Sequence, residues 1–304
     1  MKKFDYSKFK SQKSQSAMEY LMTYGWAILI IAIVLVALFS LGIFNSANFS
    51  PRAQPGSCEV LRNSVQTSLV GQCNGELPEY VAEFETSPAY ISITNDQYIP
   101  YSATASRTMT FWFSGTITSS FTTLFTQTNA LGVCGPFNLA IRAYAGYFLH
   151  TCLESGDTYS PGFNPSSGWG FAAVVYNSTT GTVTFYYNNK KMLVSTSGYD
   201  VSPIVVNTAP EGQFNIGGSD NTGYGENTIN GYESNFQIYN TSLSPSEITA
   251  LYQEGIGGAP INVDNLVGWW PLNGNANDYS GNGNDGTATN VIYTSAWTSG
   301  YSAP

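Results

Sequence analysis

The stretch Thr108-Met109-Thr110-Phe111-Trp112-Phe113 decides the fold class, because Met109, Phe111 and Phe113 occupy every second position. A period of two places such residues on one face of a β-strand. The same alternation recurs in two later runs, at Phe137, Leu139 and Ile141 and at Val183, Phe185 and Tyr187. Turn residues separate the runs, as at Thr180-Gly181 and Asn188-Asn189, and the pattern predicts an antiparallel sandwich of two sheets.

The composition indicates a β-rich protein that does not bind nucleic acid. The 304 residues include 21 Tyr, 17 Phe and 30 Gly, and 10% of them are charged, which gives a net charge of -9. Five of the 11 basic residues are lysines within the first thirteen positions, opposed there by Asp5 alone. The rest of the chain therefore holds six basic against 19 acidic residues, a net charge of -13. A domain this acidic repels phosphate backbones.

One helix interrupts the predicted strands. Ser244-Pro245-Ser246-Glu247 is a capping box with proline at the first helical position, and Gly255 ends the helix. Ile248, Leu251 and Tyr252 form its apolar face.

Several landmarks of the chain resemble a known family of β-sandwiches. They are Tyr90-Ile91-Ser92-Ile93, Thr110-Phe111-Trp112-Phe113, Ile238-Tyr239-Asn240-Thr241-Ser242-Leu243-Ser244-Pro245-Ser246-Glu247-Ile248, and the run of residues 267–287, VGWWPLNGNANDYSGNGNDGT. Together they resemble laminin-G-like jelly rolls of the concanavalin A-like lectin/glucanase superfamily. The resemblance implies a mainly β protein with such a jelly roll over residues 80–304. It is specific for fold and loose for function.

The order of these landmarks departs from the family. The Trp-Trp-Pro-Leu and Asp-Tyr-Ser-Gly-Asn module opens the family's domain, whereas here it closes the domain, after the linker Gly257-Gly258-Ala259-Pro260. Circular permutation explains this order, because domain termini often lie close together. The module would then pair beside the Tyr80–Thr94 region. A truncated second repeat would leave an open sheet edge, and donation of the strand to a neighbouring subunit is a third explanation.

The N-terminal region predicts an apolar helix long enough to cross a bilayer. Tyr20 to Pro51 holds no charged residue, and the nineteen residues from Trp26 to Phe44 are almost wholly apolar. At 1.5 Å per residue they span about 28 Å. The lysines in front predict that the N-terminus is cytoplasmic and that everything after Asn45 lies outside the cell. An ordinary secretory signal or a plain anchor is the alternative.

The residues in front of this helix resemble the class III signal peptide of archaeal type IV pilin-like proteins, including archaellins. They read Lys13-Ser14-Gln15-Ser16-Ala17-Met18-Glu19-Tyr20. The resemblance implies cleavage by the prepilin-type peptidase between Ser14 and Gln15, with Glu19 as the fifth mature residue. Glu19 would then pair with the new amino group of a neighbouring subunit; otherwise it is a carboxylate at the headgroup level.

These observations predict four segments. Residues 1–14 are a cleaved leader, 15–45 an assembly helix, 46–79 a stalk, and 80–304 the jelly roll. Four cysteines outside the membrane are expected to form disulfides, and we expect the sequence-local pairs Cys58–Cys73 and Cys134–Cys152.

A cluster of oxygen-bearing side chains indicates either a calcium site or a turn. Asp278, Asn282, Asn284 and Asp285 lie within eight positions that also hold three glycines. Such ligands suit Ca²⁺, and laminin-G-like domains often hold it, but an Asx/Gly turn needs no metal. Sequons for N-glycosylation occur at Asn48, Asn177 and Asn240.

The sequence argues against catalysis. The carboxylate pattern Glu-x-Asp-x-x-Glu of related glucanases is absent, and no Ser/His/Asp set can be argued from a single histidine, His150. Exposed aromatic residues can bind sugars by stacking, and Trp169, Tyr224 and Trp297 are the candidates.

The sequence therefore predicts an archaeal pilin-like surface protein that is not an enzyme and displays a lectin-like domain for adhesion. Its expected partners are the prepilin-type peptidase, the membrane, like subunits and extracellular glycans. A membrane-anchored carbohydrate-binding protein that forms no filaments is one alternative, and an anchored glycan-degrading enzyme is another.

Overall fold

A computed structural model describes two compact units, Met1–Pro51 and Arg52–Pro304. The described residues are 22, 24–36, 58–62, 66–71, 73, 77–85, 88–94, 105–116, 122–127, 138–143, 147–153, 156–159, 168–192, 214–218 and 227–304.

The first unit contains helix α1, residues 24–36. Its apolar side chains are exposed, among them Trp26, Ile31 and Val36. In the part of the chain that the structure describes, no helix combines the length and the apolar character needed to span a bilayer. The membrane-spanning helix over Trp26–Phe44 stays a prediction. Ser14, Gln15 and Glu19 lie outside the described residues.

The second unit is built mainly from strands. They are β1 Cys58–Arg62, β2 Thr67–Gly71, β3 Val81–Phe84, β4 Tyr90–Ile93, β5 Arg107–Thr116, β6 Thr122–Gln127, β7 Asn138–Ala143, β8 Tyr147–Leu153, β9 Gly156–Tyr159, β10 Gly170–Asn177, β11 Thr182–Tyr187, β12 Lys190–Met192, β13 Phe214–Gly217, β14 Asn227–Thr228, β15 Asn230–Tyr239, β16 Leu266–Trp270, β17 Gly286–Thr289 and β18 Ile292–Thr294. Helix α2 is Pro245–Glu254, and a 3-10 turn covers Val263–Asn265.

The described strands form two eight-stranded sheets and one hairpin. Sheet A has the order β12-β11-β10-β5-β15-β3-β18, with β16 also paired to β15. Sheet B has the order β17-β4-β13-β6-β7-β8-β9, with β14 also paired to β6. Every pairing is antiparallel except that of β14 with β6. This confirms the predicted antiparallel sandwich.

The main core lies between the two sheets. Met109, Phe111 and Phe113 point into it from β5, as the period of two predicts. Aromatic rings from both sheets pack there with centroid separations from 5.3 to 6.3 Å, among them Phe111, Phe125, Phe214, Phe236 and Trp270. Burial of such rings is the main source of stability in a sandwich.

A second apolar layer covers the other face of sheet A. Trp112, on the opposite face of β5 from Phe111, belongs to this layer. Helix α2 packs there through Ile248 and Leu251, and the ring of Tyr252 stacks on Trp112 at 5.8 Å. Sheet A is therefore buried on both faces.

Helix α2 confirms the predicted capping box. The backbone N–H of Glu247 donates to the Ser244 hydroxyl, and the Ser244 N–H donates to the Glu247 carboxylate at 2.7 Å. These bonds satisfy backbone donors that have no partner within the helix.

The C-terminal segment completes both sheets within its own chain. Strand β17 pairs with β4, β18 pairs with β3, and β16 pairs with β15. This confirms the predicted pairing beside the Tyr80–Thr94 region. Trp269 and Trp270 face opposite sides of sheet A, and both are buried: Trp270 in the main core and Trp269 in the second layer. A strand at this position is expected to bury at least one of the two tryptophans, because they face opposite sides of the sheet, and the structure buries both.

The linker before this segment is fixed by buried hydrogen bonds. The side-chain amide of Asn235 donates to the Gly258 carbonyl at 2.7 Å and accepts from the Trp269 indole at 2.8 Å. Gly258, Ala259 and Pro260 are buried. The linker is therefore part of the packed domain.

The predicted stalk includes a folded hairpin. Strands β1 and β2 pair, and a disulfide joins Cys58 to Cys73, in agreement with the sequence-local pairing. The Val60 N–H donates to the Tyr279 carbonyl at 3.1 Å. Gly281 has φ +81°, and a Cβ there would lie 2.8 Å from the Val60 carbonyl oxygen, so glycine permits the close approach.

Arg62 adds to this contact, because its guanidinium donates to the carbonyls of Ser280, at 3.0 Å, and Leu266. The stretch Cys58–Cys73 is thus attached to the jelly roll instead of forming a free stalk. Cys134 lies outside the described residues, and so does the side chain of Cys152.

Candidate functional site

The two sheets differ in what their outer faces carry. On sheet A the outer face is apolar and is covered by α2, the β1–β2 hairpin and the C-terminal residues. On sheet B the described side chains of the outer face on β4, β6 and β13 are polar. This polar face is the candidate functional face.

Four polar side chains lie on the outer face of sheet B, on three adjacent strands: Ser92, Thr123, Thr126 and Asn215. We call them the outer polar row. Asn215 lies directly opposite Ser92 on one side and Thr126 on the other. Side chains in such cross-strand pairs have Cβ atoms about 5 Å apart.

The alternation along each strand fixes which way the row faces. Phe214 and Ile216 flank Asn215 in sequence, and Ile91 and Ile93 flank Ser92. Because these flanking residues point into the main core, Asn215 and Ser92 point away from it.

A β-bulge adds Thr123 to the row. The pairing of β6 with β7 changes register between Thr123 and Phe125. Leu124 and Phe125 both point into the main core. The residues on either side of this pair, Thr123 and Thr126, therefore share the outer face, although three positions separate them.

Three members of the row are buried and hold polar atoms that have no hydrogen-bond partner among the described residues. These atoms are both amide atoms of Asn215 and the hydroxyls of Thr123 and Thr126. All three residues are 0% exposed. A buried polar group without a partner costs about 1–3 kcal/mol, and such groups in a native protein are usually explained by a function or an ordered ligand. A carboxamide and hydroxyls can both donate to and accept from the hydroxyls of a sugar.

The prediction that exposed aromatic rings stack on sugars is wrong for two of its three residues, because both are buried. Trp169 is 8% exposed and Trp297 is 4% exposed. Their rings pack edge to face at 5.9 Å, and the Trp169 indole donates to the Trp297 carbonyl at 2.8 Å. Neither ring has a face free for a sugar, because the C-terminal residues pack against sheet A by means of these two rings. Tyr224 lies outside the described residues.

Tyr232 belongs to the same aromatic group as Trp169 and Trp297 and is half-buried. It stacks on Trp169 at 6.1 Å. Burial raises the pKa of the neighbouring Glu83 carboxyl, and a hydrogen bond from the Tyr232 hydroxyl opposes that shift. The group is a packed edge of the second apolar layer.

The residues predicted to bind calcium form a hydrogen-bonded turn between β16 and β17. One carboxylate oxygen of Asp278 accepts from the N–H groups of Trp269 and Ser280, at 3.0 and 2.8 Å. The other accepts from the Ser280 hydroxyl and the Asn284 N–H, at 2.8 and 2.9 Å. Asp285 accepts from the Asp278 N–H at 2.8 Å.

The two asparagines of this turn point their side-chain nitrogen atoms toward the backbone of β16. The side-chain amides of Asn282 and Asn284 donate to the Val267 carbonyl, at 2.7 and 2.9 Å. Ca²⁺ needs six to eight oxygen ligands. No three His, Cys, Asp or Glu side chains among the described residues are arranged to hold a metal ion. The geometry fits the turn, since a cation would have to displace the four hydrogen bonds of Asp278.

Among the described residues, Glu233 is the one fully buried carboxyl group. It lies opposite Ala82 on β3 and Phe113 on β5, and both of these point into the main core. Neither carboxyl oxygen has a hydrogen-bond partner among the described residues, and burial raises the pKa of Glu233 well above its usual range. Glu233 therefore lies in the main core, and sheet B separates it from the outer polar row.

Two of the three sequons lie in the described part of the chain. Asn177 ends β10, and Asn240 follows β15 directly. Asn48 lies outside the described residues.

The antiparallel sandwich of two sheets agrees with the family to which the chain belongs. The family model of the concanavalin A-like lectin/glucanases superfamily, in its laminin G form, matches residues 85–249. The chain belongs to this superfamily. No curated protein sequence matches it.

The solved structures that resemble this chain have low sequence identity to it. A Bacteroides ovatus protein with a proposed carbohydrate-binding role is 16% identical, with a TM-score of 0.53. The match covers 77% of this chain and 64% of that protein, just under two thirds of its length. The heptameric SAP-like pentraxin of Limulus polyphemus is 13% identical, with a TM-score of 0.49, over 70% of this chain and 94% of the pentraxin.

Proposed function

We propose that the protein is a pilin-like, non-enzymatic surface subunit whose jelly roll binds carbohydrate through the outer polar row. The observation that carries the proposal is Asn215, a buried carboxamide with no partner among the described residues for either of its polar atoms. Sugar hydroxyls supply both the donor and the acceptor that such an amide lacks. Binding requires that the row become accessible to the ligand.

Superfamily membership and the likeness to the Bacteroides ovatus structure agree with this proposal. At 16% identity the likeness bears on the fold alone. The binding role therefore rests on the residues of the row.

The anchoring part of the proposal rests on the N-terminal sequence and on α1. Thirteen described residues of α1 are helical, and large apolar side chains such as Trp26, Ile30 and Val34 are exposed on it. Exposed apolar side chains of this kind are stabilised in lipid or among like helices. The prepilin-type peptidase, the membrane and like subunits are the partners that this part of the proposal implies.

The binding role is tested by replacing Asn215 with leucine in the full chain. Titration with a panel of neutral and acidic oligosaccharides should show binding by the unmodified protein, weakened roughly 10- to 100-fold in Asn215→Leu. The melting temperature should stay level or rise, because an apolar side chain of similar size replaces an unpartnered amide. The control Thr184→Val, on β11 of sheet A, should bind normally.

Unchanged binding in Asn215→Leu would remove the row from the proposal. Electron microscopy of purified surface filaments distinguishes a filament subunit from an anchored monomer. Release of reducing sugar from the bound oligosaccharides would favour the enzyme.

A further inference from the structure

Two sequons lie side by side at one end of sheet A. Tyr176 on β10 pairs with Arg107 at the start of β5, and Tyr239 on β15 pairs with Thr108. Asn177 and Asn240 each follow the paired tyrosine by one residue. Asn177 therefore ends one of the two strands that flank β5 and Asn240 directly follows the other, so their backbones lie about 10 Å apart at the two-strand spacing of a sheet.

The backbone around Asn177 leaves its amide nitrogen free. The Asn177 side-chain oxygen accepts hydrogen bonds from the N–H groups of Thr179 and Thr180, at 3.0 and 3.3 Å. The nitrogen of the same amide has no hydrogen-bond partner among the described residues. Thr179, the third residue of the sequon, is exposed.

Ser178 fixes this turn to the rest of the sheet. Its N–H donates to the Ser106 hydroxyl at 3.0 Å, and the two hydroxyls are 2.9 Å apart. The sequon is thus presented on a rigid turn between β10 and β11.

The second sequon is held in a similar way. The Thr108 hydroxyl donates to the Thr241 carbonyl at 2.8 Å and accepts from the Leu243 N–H at 2.9 Å. Asn240 is exposed, and its side chain forms no hydrogen bond among the described residues. The Asn240 side chain is thus exposed, and the side-chain nitrogen of Asn177 has no hydrogen-bond partner among the described residues. Each asparagine lies next to the end of a strand that hydrogen bonds hold in place.

We propose that Asn177 and Asn240 each carry an N-linked glycan, so that this end of sheet A bears a pair of neighbouring sugar chains. In each transfer, the amide nitrogen attacks the anomeric carbon of a lipid-phosphate-linked oligosaccharide on a membrane transferase. The new N–C bond replaces the bond from that carbon to the phosphate oxygen. The amide loses one proton, and the lipid phosphate leaves. The pair keeps this end of the sheet from packing closely against another subunit.

The test is peptide mapping by mass spectrometry of the full chain purified from cells of its own source. Peptides that contain Asn177 and Asn240 should each carry the mass of an oligosaccharide. Asn177→Asp should lose one glycan and keep its turn, because the carboxylate can still accept the two backbone bonds. Asn240→Asp should lose the other glycan.

Matched variants separate the sequon from the turn. Thr179→Ala should abolish the glycan on Asn177, whereas Thr179→Ser and Ser178→Ala should keep it. For Asn240, Ser242→Ala should abolish the glycan and Ser242→Thr should keep it. An unmodified peptide at either asparagine in the unmutated protein overturns the pair, as does a glycan that persists in Thr179→Ala.

Discussion

Asn215 and Glu233 are both fully buried and have no hydrogen-bond partner among the described residues, but Asn215 lies outside the main core and Glu233 lies inside it. Asn215 points away from the main core, where a ligand can satisfy it. Glu233 points into the core between Ala82 and Phe113, where only protonation relieves the cost of burial. Asn215 is therefore the residue that we propose for binding, whereas Glu233 affects stability.

The Glu233 carboxyl makes the stability of the domain depend on pH. Its folded pKa is raised, so the folded state keeps a proton that the unfolded state loses above its ordinary value near 4.3. The contribution to stability is complete below that value and is lost as the pH rises toward the folded pKa, by about 1.4 kcal/mol per pH unit.

Glu233→Gln, which cannot ionise, should therefore match the unmodified protein in melting temperature near pH 4 and exceed it near pH 8. Thermal unfolding followed by circular dichroism at both pH values measures the difference. Parallel melting curves across that range would show that Glu233 does not govern the pH dependence.

Asp278 decides between the turn and the calcium interpretations. Because its carboxylate already accepts four hydrogen bonds, we expect millimolar Ca²⁺ to leave the melting temperature unchanged. Asp278→Ala should lower the melting temperature equally with Ca²⁺ and with EDTA, by the loss of several partly buried hydrogen bonds worth about 1 kcal/mol each. A rise with Ca²⁺ that Asp278→Ala abolishes would establish the metal site, since a ligand of the native state stabilises it.

At the scale of elements, period-two alternation was enough to predict β5 and β11. It was insufficient at Leu124-Phe125, where the bulge in β6 turns two successive residues into the core. A bulge is set by the pairing of two distant strands, which a single run of residues does not reveal.

The aromatic candidates failed for a related reason. Trp169 and Trp297 are 128 residues apart and bury each other, so their exposure depends on where the C-terminus folds. Asn215 carried a local signal, since an amide between Phe214 and Ile216 stands on the opposite face of a strand from the core. That signal shows which face Asn215 occupies, but its lack of partners appears only in the assembled sheet.

The C-terminal strands make up an indispensable part of both sheets. Truncation after Pro260 would remove the buried Trp269 and Trp270 and leave β3 and β4 without their outer partners. Loss of one large aromatic side chain alone costs about 3–5 kcal/mol, and a domain of this kind has about 5–15 kcal/mol of stability. The truncated protein should therefore be unfolded or aggregated by circular dichroism and size-exclusion chromatography.

Truncation after Thr294 is the matched control. It keeps β16 to β18 and removes the Trp297 and Tyr301 contacts on the outer layer and the hydrogen bond from the Trp169 N–H to the Gly300 carbonyl, so a folded domain with a lower melting temperature is expected. A folded, monomeric product of the Pro260 truncation would mean that the segment is an appendage. Unfolding would agree with the circular permutation that we propose for the order of the segments.

For the molecule as a whole, the proposed pilin role makes a prediction about processing. Mass analysis of protein from native membranes should find Gln15 as the first residue. Glu19→Gln should insert into the membrane normally but assemble poorly, because the charge that pairs with the new amino group is lost. An intact Met1, or normal filaments from Glu19→Gln, would contradict this assignment.

The disulfide of the β1–β2 hairpin also has a mechanical consequence. If the subunit is anchored by α1 and its jelly roll holds a ligand, tension enters the second unit at Cys58. The cross-link passes this load straight to Cys73, so the hairpin cannot unravel under pull. Its reduction would release a segment of 15 residues, about 50 Å of extra length when drawn out. Single-molecule pulling should show that extension only in the presence of a reductant, and an equal extension without one would mean that the bond bears no load.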